Sequence, residues 1–203
     1  MKTFFSFVLL SLFALQLFAQ APTTGYRIGD EAADFSLLNI DGKKVSLKDY
    51  KDAKGIILIF TCNHCPFSVA YEDRIIALHL KYAKQGYPVI AVNSNDATAY
   101  PADSYENMIE RAKDKNFPFA YLHDETQAYA HTYGAMKTPH VFLLKKNADN
   151  FNVVYMGAID DNSNEPELVK TKYAENAINE LISGKDISQN TTKAVGCGIK
   201  WKK

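Results

Sequence analysis

Between residues 55 and 61 the chain reads Gly-Ile-Ile-Leu-Ile-Phe-Thr, a continuous β-rich apolar run that predicts a strand buried on both faces. Directly after it the period changes. Phe67, Tyr71, Ile75, Leu78 and Tyr82 recur at helical spacing, and Gly86 stands where a helix stop is expected. Residues 87–93 repeat the buried-strand pattern, and shorter β-rich runs fall at 119–122, 140–144 and 152–156. Ahead of the first run, 35–38 and 44–47 flank Asp41-Gly42, a turn dipeptide that predicts a hairpin. Asp103 and Glu106 read as a capping box opening a helix through about Lys115. A short helix over 125–133 ends at Gly134, and a last amphipathic helix carries Ala174, Ile178, Leu181 and Ile182 and stops at Gly184.

Strands alternating with helices imply crossover connections and a parallel sheet, with the last two strands adding an antiparallel edge. The expected class is therefore α/β. No repeat, low-complexity stretch or linker divides the chain, which points to one domain over 25–186 and a tail over 187–203. Residues 1–19 read differently. Met1-Lys2 supplies a positive start, an apolar stretch runs from Phe4 to Phe18, and Ala19-Gln20-Ala21 follows as a small-residue site. The apolar stretch falls short of the roughly 20 residues a membrane span needs. The reading is a cleaved signal peptide, export to the periplasm, and no stable membrane anchor after removal.

Charge narrows the partners. Lys+Arg and Asp+Glu are balanced at 23 each, so no nucleic-acid footprint stands out. The short basic ending, with Lys193, Lys200, Lys202 and Lys203, reads as a solvated terminus.

Three cysteines are too few for a disulfide-stapled scaffold, but Cys62 and Cys65 fall directly after the buried strand and at the start of the long helix. Unpaired backbone N–H groups and the macrodipole make that position electropositive, which stabilises a thiolate. Two intervening residues let one sulfur reach the other, so a mixed disulfide can resolve internally. His64 lies between them, where a cationic imidazole would lower a neighbouring thiol pKa. Pro66 suits the first helical turn and pushes Cys65 into an extended conformation, so Cys65 is expected to be the cap and the thiolate most stabilised by the helix. Cys62 is then more exposed than in a helix beginning at the first cysteine, and the attacking order is left open. Redox exchange is the favoured reading, with no cofactor. Its rivals are a copper or zinc site built from Cys62, Cys65 and His140, and a purely structural disulfide. His79, His123 and His131 read as ordinary helix-associated histidines. Asp160-Asp161 reads as a turn that caps the next element.

The motif Phe60-Thr61-Cys62-Asn63-His64-Cys65-Pro66 resembles the signature of a bacterial peroxiredoxin-like group of thioredoxin-family, or redoxin-domain, proteins. The segments Asn93-Ser94-Asn95-Asp96, Tyr100-Pro101-Ala102-Asp103-Ser104, Asp124-Glu125-Thr126-Gln127, Thr138-Pro139, Asp160-Asp161 and the ending around Gly196-Cys197-Gly198 carry the same resemblance. It implies a thioredoxin-like fold with a peroxiredoxin-type N-terminal hairpin and an inserted helix–strand unit around 103–122. It also implies a cis-proline at Thr138-Pro139, lying against the two cysteines and shaping the partner groove. Cys65 falls where the peroxide-reactive cysteine belongs, but Cys62 replaces the family's threonine, Leu58 or a neighbour its proline, and Arg27, Arg74 and Arg111 do not match its arginine. The expected activity is thiol–disulfide exchange with a protein thiol or disulfide partner. Peroxide reduction through Cys65 is the nearest alternative, and copper handling a further one. Cys197 is either a thiol that resolves Cys65, a bridge to another subunit, or a structural thiol, with the last preferred.

Overall fold

The computed structural model describes residues 25–203, so the signal expected at 1–19 lies outside the described residues. In chain order the strands are β1 (Leu37–Asn39), β2 (Lys44–Val45), β3 (Gly55–Thr61), β4 (Val89–Asn93), β5 (Ala120–His123), β6 (Lys137–Thr138), β7 (His140–Asn147), β8 (Asn150–Gly157) and β9 (Cys197–Gly198). The helices are α1 (Pro66–Tyr82), α2 (Tyr105–Asp114), α3 (Ala128–Tyr133) and α4 (Tyr173–Ile182). Seven strands form one sheet in the order β2-β1-β5-β4-β3-β7-β8, while β6 and β9 pair separately. β3, β4 and β5 run parallel, and β7 and β8 add the antiparallel edge.

β3 sits centrally because every one of its residues is apolar or small and all seven are buried. Alternation sorts its side chains. Ile57 and Ile59 join Tyr71, Ile75, Leu78 and Tyr82 of α1, with Met108 of α2 and Ile178 of α4, on one face. Ile56, Leu58 and Phe60 pack on the other face with Tyr133 of α3, Phe142 and Leu144. The sheet is therefore covered on both sides, and its C-terminal end, where β3 gives way to α1, is left as the working edge. This is the thioredoxin-like α/β architecture expected, hairpin and inserted α2–β5 unit included.

Three local expectations need correcting. The helix opened at Asp103 is capped one residue later: Ser104 Oγ accepts the Asn107 N–H at 3.3 Å, and the Asp103 carboxylate turns inward instead. The second hairpin strand ends at Val45, because Ser46 caps a tight helical turn over Leu47–Tyr50 through Asp49. The short helix begins at Ala128 rather than 125, since Gln127 takes a left-handed conformation (φ 62°) that no helix interior accommodates. α1 is held at both flanks by buried charge. Glu72 accepts two bonds from Arg111 of α2, at 2.6 and 2.8 Å, and Asp160 accepts from Tyr71 and Arg74 at 2.7 Å each. Asp161 accepts the N–H groups of Lys170 and Thr171, so this acidic pair organises the loop before α4.

Candidate redox site

α1 begins where its sequence says it should. Pro66 occupies the first turn, and Cys65 is the cap with extended backbone (φ −68°, ψ 124°). The Cys65 side chain makes no capping hydrogen bond. Cys65 is bonded to Cys197 as a disulfide, with Cα atoms 6.1 Å apart, inside the usual range. Cys197 is thus not the unpaired structural thiol preferred from the sequence. The pairing is the one expected of a thiol that resolves Cys65, made across 132 residues of chain.

Cys62 is the free thiol, and it is buried, 3% exposed, although its place ahead of the helix led to the expectation of a more exposed position. The reason is the roof above it. Its S–H donates to Thr138 Oγ1 at 3.3 Å, and the buried Ser68 hydroxyl lies 3.7 Å from it. Burial pushes the Cys62 thiol pKa up, and the Asp103 carboxylate pushes the same way. The Thr138 hydroxyl, the Cys65 backbone N–H and the Ser68 hydroxyl pull against them. Cys62 is therefore stored as a protonated thiol rather than an exposed nucleophile. Thr138 borders both sulfurs, since its carbonyl oxygen lies 3.3 Å from Cys65 Sγ. The Thr138-Pro139 bond is cis.

His64 lies beside Cys62 and is tied to the inserted unit. Its Nδ1 pairs with the Asp103 carboxylate, and its ring stacks on Tyr100 with centroids 5.0 Å apart. Asp103, fully buried, also accepts the Asn63 backbone N–H at 2.7 Å and Asn95 Nδ2 at 2.8 Å. Asn63 donates in turn to the Ala102 carbonyl and accepts from the Tyr121 hydroxyl, each at 2.9 Å. The loop between the cysteines is pinned by the segment ahead of α2, where a helix-capping role was expected of Asp103. A carboxylate two residues after a proline, three after a tyrosine, carries no general signal for this role, so Asp103 was not legible as a site residue.

The metal alternative changes composition. The donor atoms of Cys62, His64 and Asp103 lie within 4.8 Å of one another, and among the described residues no other such group forms. His140 does not join Cys62 and Cys65. Its ring lies against Phe142, its Nδ1 accepts the Met136 N–H at 3.4 Å, and burial lowers its pKa to about 4. The other histidines are structural: His79 accepts the Val89 N–H, His123 stacks on Tyr105 and His131 on Trp201.

A cysteine-capped helix after the central strand of a seven-stranded mixed sheet, beside a cis-proline that precedes the adjacent strand, defines a redoxin of the thioredoxin-like class. The chain belongs to the AhpC/TSA family, whose family model matches residues 28–152. It is 31% identical over 123 residues to the thiol-disulfide oxidoreductase ResA of Bacillus thuringiensis subsp. konkukian (strain 97-27), a match covering 59% of this chain and 65% of that one. The chain thus spans just under two thirds of that relative's length. Two solved structures align over nearly their whole length. An uncharacterized conserved protein from Geobacillus kaustophilus has 36% identity and a TM-score of 0.80, covering 87% of this chain and 93% of that one. A hypothetical protein from Sinorhizobium meliloti 1021 has 33% identity and a TM-score of 0.79, covering 89% and 99%.

Proposed function

We propose that this chain is an exported thiol–disulfide oxidoreductase that cycles Cys62 and Cys65 between dithiol and disulfide. The observation that carries the reading is the juxtaposition at Thr138: a protonated thiol, Cys62, and the helix-capping sulfur of Cys65, already in a disulfide, border the same residue ahead of cis-Pro139. Attack by the Cys62 thiolate on Cys65 forms the pair's own disulfide and releases whatever thiol Cys65 carried. His64, fixed by Asp103, places an imidazole beside Cys62 that stabilises the thiolate when protonated. Thr138 and Pro139 form the partner groove, and the partner is a protein thiol or disulfide. Similarity to a relative named as a thiol-disulfide oxidoreductase supports the activity. The positive start, apolar stretch and small-residue site at residues 1–19 support export, with the periplasm as the compartment and 25–186 as the folded domain.

Reduction of an insulin-like disulfide substrate tests this. Cys62→Ser and Cys65→Ser each abolish turnover if the reading is right; full activity in both variants removes it. Peroxide reduction is the lesser reading. Arg74 and Arg111 are committed to Asp160 and Glu72, which leaves neither to polarise an O–O bond beside Cys65. Rapid, Cys65-dependent oxidation by hydrogen peroxide would restore it.

A further inference from the structure

The chain beyond residue 192 is held more firmly than a solvated tail requires. Thr192 Oγ1 accepts the Ala158 N–H at 2.9 Å and bonds the Tyr155 hydroxyl at 2.7 Å. Further on, Ile199 is buried, and the Lys200 backbone bonds Asn95 Oδ1 and the Asp96 N–H at 2.9 and 2.8 Å. Between these anchors β9 pairs antiparallel with β6, Cys197 opposite Thr138 and Gly198 opposite Lys137. Gly196 packs so tightly on the Thr138 carbonyl and the Pro139 nitrogen that a Cβ there would collide with backbone. An extended strand with a glycine-flanked cysteine thus lies along the residue before a cis-proline, cross-linked to the helix-cap sulfur. That is the form a mixed disulfide with a polypeptide would take in this groove.

We propose that residues 196–198 are a tethered occupant of the partner groove. The clients that compete for it are extended polypeptide segments whose cysteine follows glycine, recognised by strand addition to β6. The inference rests on the redox reading above and names its substrate class. Release of the tail needs no external electrons. The Cys62 thiolate attacks Cys65 Sγ, a bond forms between Cys62 and Cys65, and the bond from Cys65 to Cys197 breaks. The electron pair leaves on Cys197 Sγ, which takes the proton Cys62 gave up. The anchors on either side then keep the freed Cys197 strand near the groove at high effective concentration, so a client enters by competing with it.

The test uses the full chain carrying Gly196→Val with Cys197→Ser, in which the valine holds the native strand off β6. The probe is a nine-residue peptide copying residues 193–201, its cysteine activated as a mixed disulfide with thionitrobenzoate. In the reduced protein the Cys65 thiolate displaces thionitrobenzoate, whose release is followed by absorbance. The glycine-bearing peptide is expected to react at least ~10-fold faster than the same peptide with valine before its cysteine. Equal rates for the two peptides overturn the proposal. The same ratio is measured in Cys197→Ser alone, a near-isosteric change that keeps Gly196, and equal rates for the two peptides there as well overturn the proposal. A small activated disulfide serves as control: if it too fails to react at Cys65, the redox reading itself is wrong, whereas its reaction with no peptide preference removes only the groove occupant.

Discussion

The loop bearing Cys62 and Cys65 and the tail bearing Cys197 meet at Thr138, but they are held there by different means. The loop is fixed by side chains. The Asp103 carboxylate gathers the Asn63 N–H, Asn95 Nδ2 and the His64 ring, and Tyr121 and Ala102 hold Asn63. The tail is fixed largely through its own backbone, by pairing with β6 and by bonds from Lys200 and Lys202 to Asn95, Asp96 and Gln127. Side chains that share one buried charge make a site brittle to single substitutions. A strand held by its main chain tolerates most substitutions and yields to a competing strand, which is what a groove occupant requires.

The sharpest way to break the loop's side of this contrast is Asp103→Ala. It leaves the Asn63 N–H, the Asn95 amide and His64 without their shared partner, and a loss of about 3–5 kcal/mol is expected, read by denaturant unfolding of the oxidised protein. Cys65→Ser attacks the junction itself. Serine is a good helix cap, so the change isolates loss of the cross-link between Cys65 and Cys197, expected to cost about 2–4 kcal/mol and to match the effect of reducing the native protein.

Acid sharpens the comparison from a third position. His140 is held near pKa 4 by burial, against about 6.5 in the unfolded chain, so the unfolded state binds more protons between those values. The stability this neutral histidine permits is fully present above pH 6.5 and lost as pH falls toward 4. About 2 kcal/mol should disappear between pH 8 and 5, and His140→Phe should flatten that limb while leaving the pH 8 value nearly unchanged. The smallest effect is expected at the tail's far end. Trp201→Ala removes a stack on His131 at 4.1 Å from a partly exposed ring, and should change unfolding by under about 1 kcal/mol.

The same contrast explains what the amino-acid pattern made legible. β3, α1 and the capping role of Cys65 followed from apolar period and proline placement, because those are local properties of residues 55–82. The parallel pairing of β3 and β4 and the antiparallel edge of β7 and β8 followed from the alternation of strands and helices and the short last turn, whereas the order of the strands did not. The Asp103 cluster was hidden, since a buried carboxylate and a capping carboxylate look alike until the fold shows which way the side chain turns. The disulfide to Cys197 was one of three open readings and not the preferred one, because pairing across 132 residues depends on where the whole tail runs, and no local spacing encodes that. The burial of Cys62 likewise depended on Thr138, 76 residues away in the chain and brought beside it only by the fold.

The most direct test of the central claim is peptide mapping under non-reducing conditions, with free thiols trapped at acid pH, on protein sampled during turnover of a disulfide substrate. The account predicts two linkages that interconvert, Cys65 with Cys197 in the resting protein and Cys62 with Cys65 after exchange. A Cys62 that remains a free thiol in every sample while turnover proceeds would contradict it.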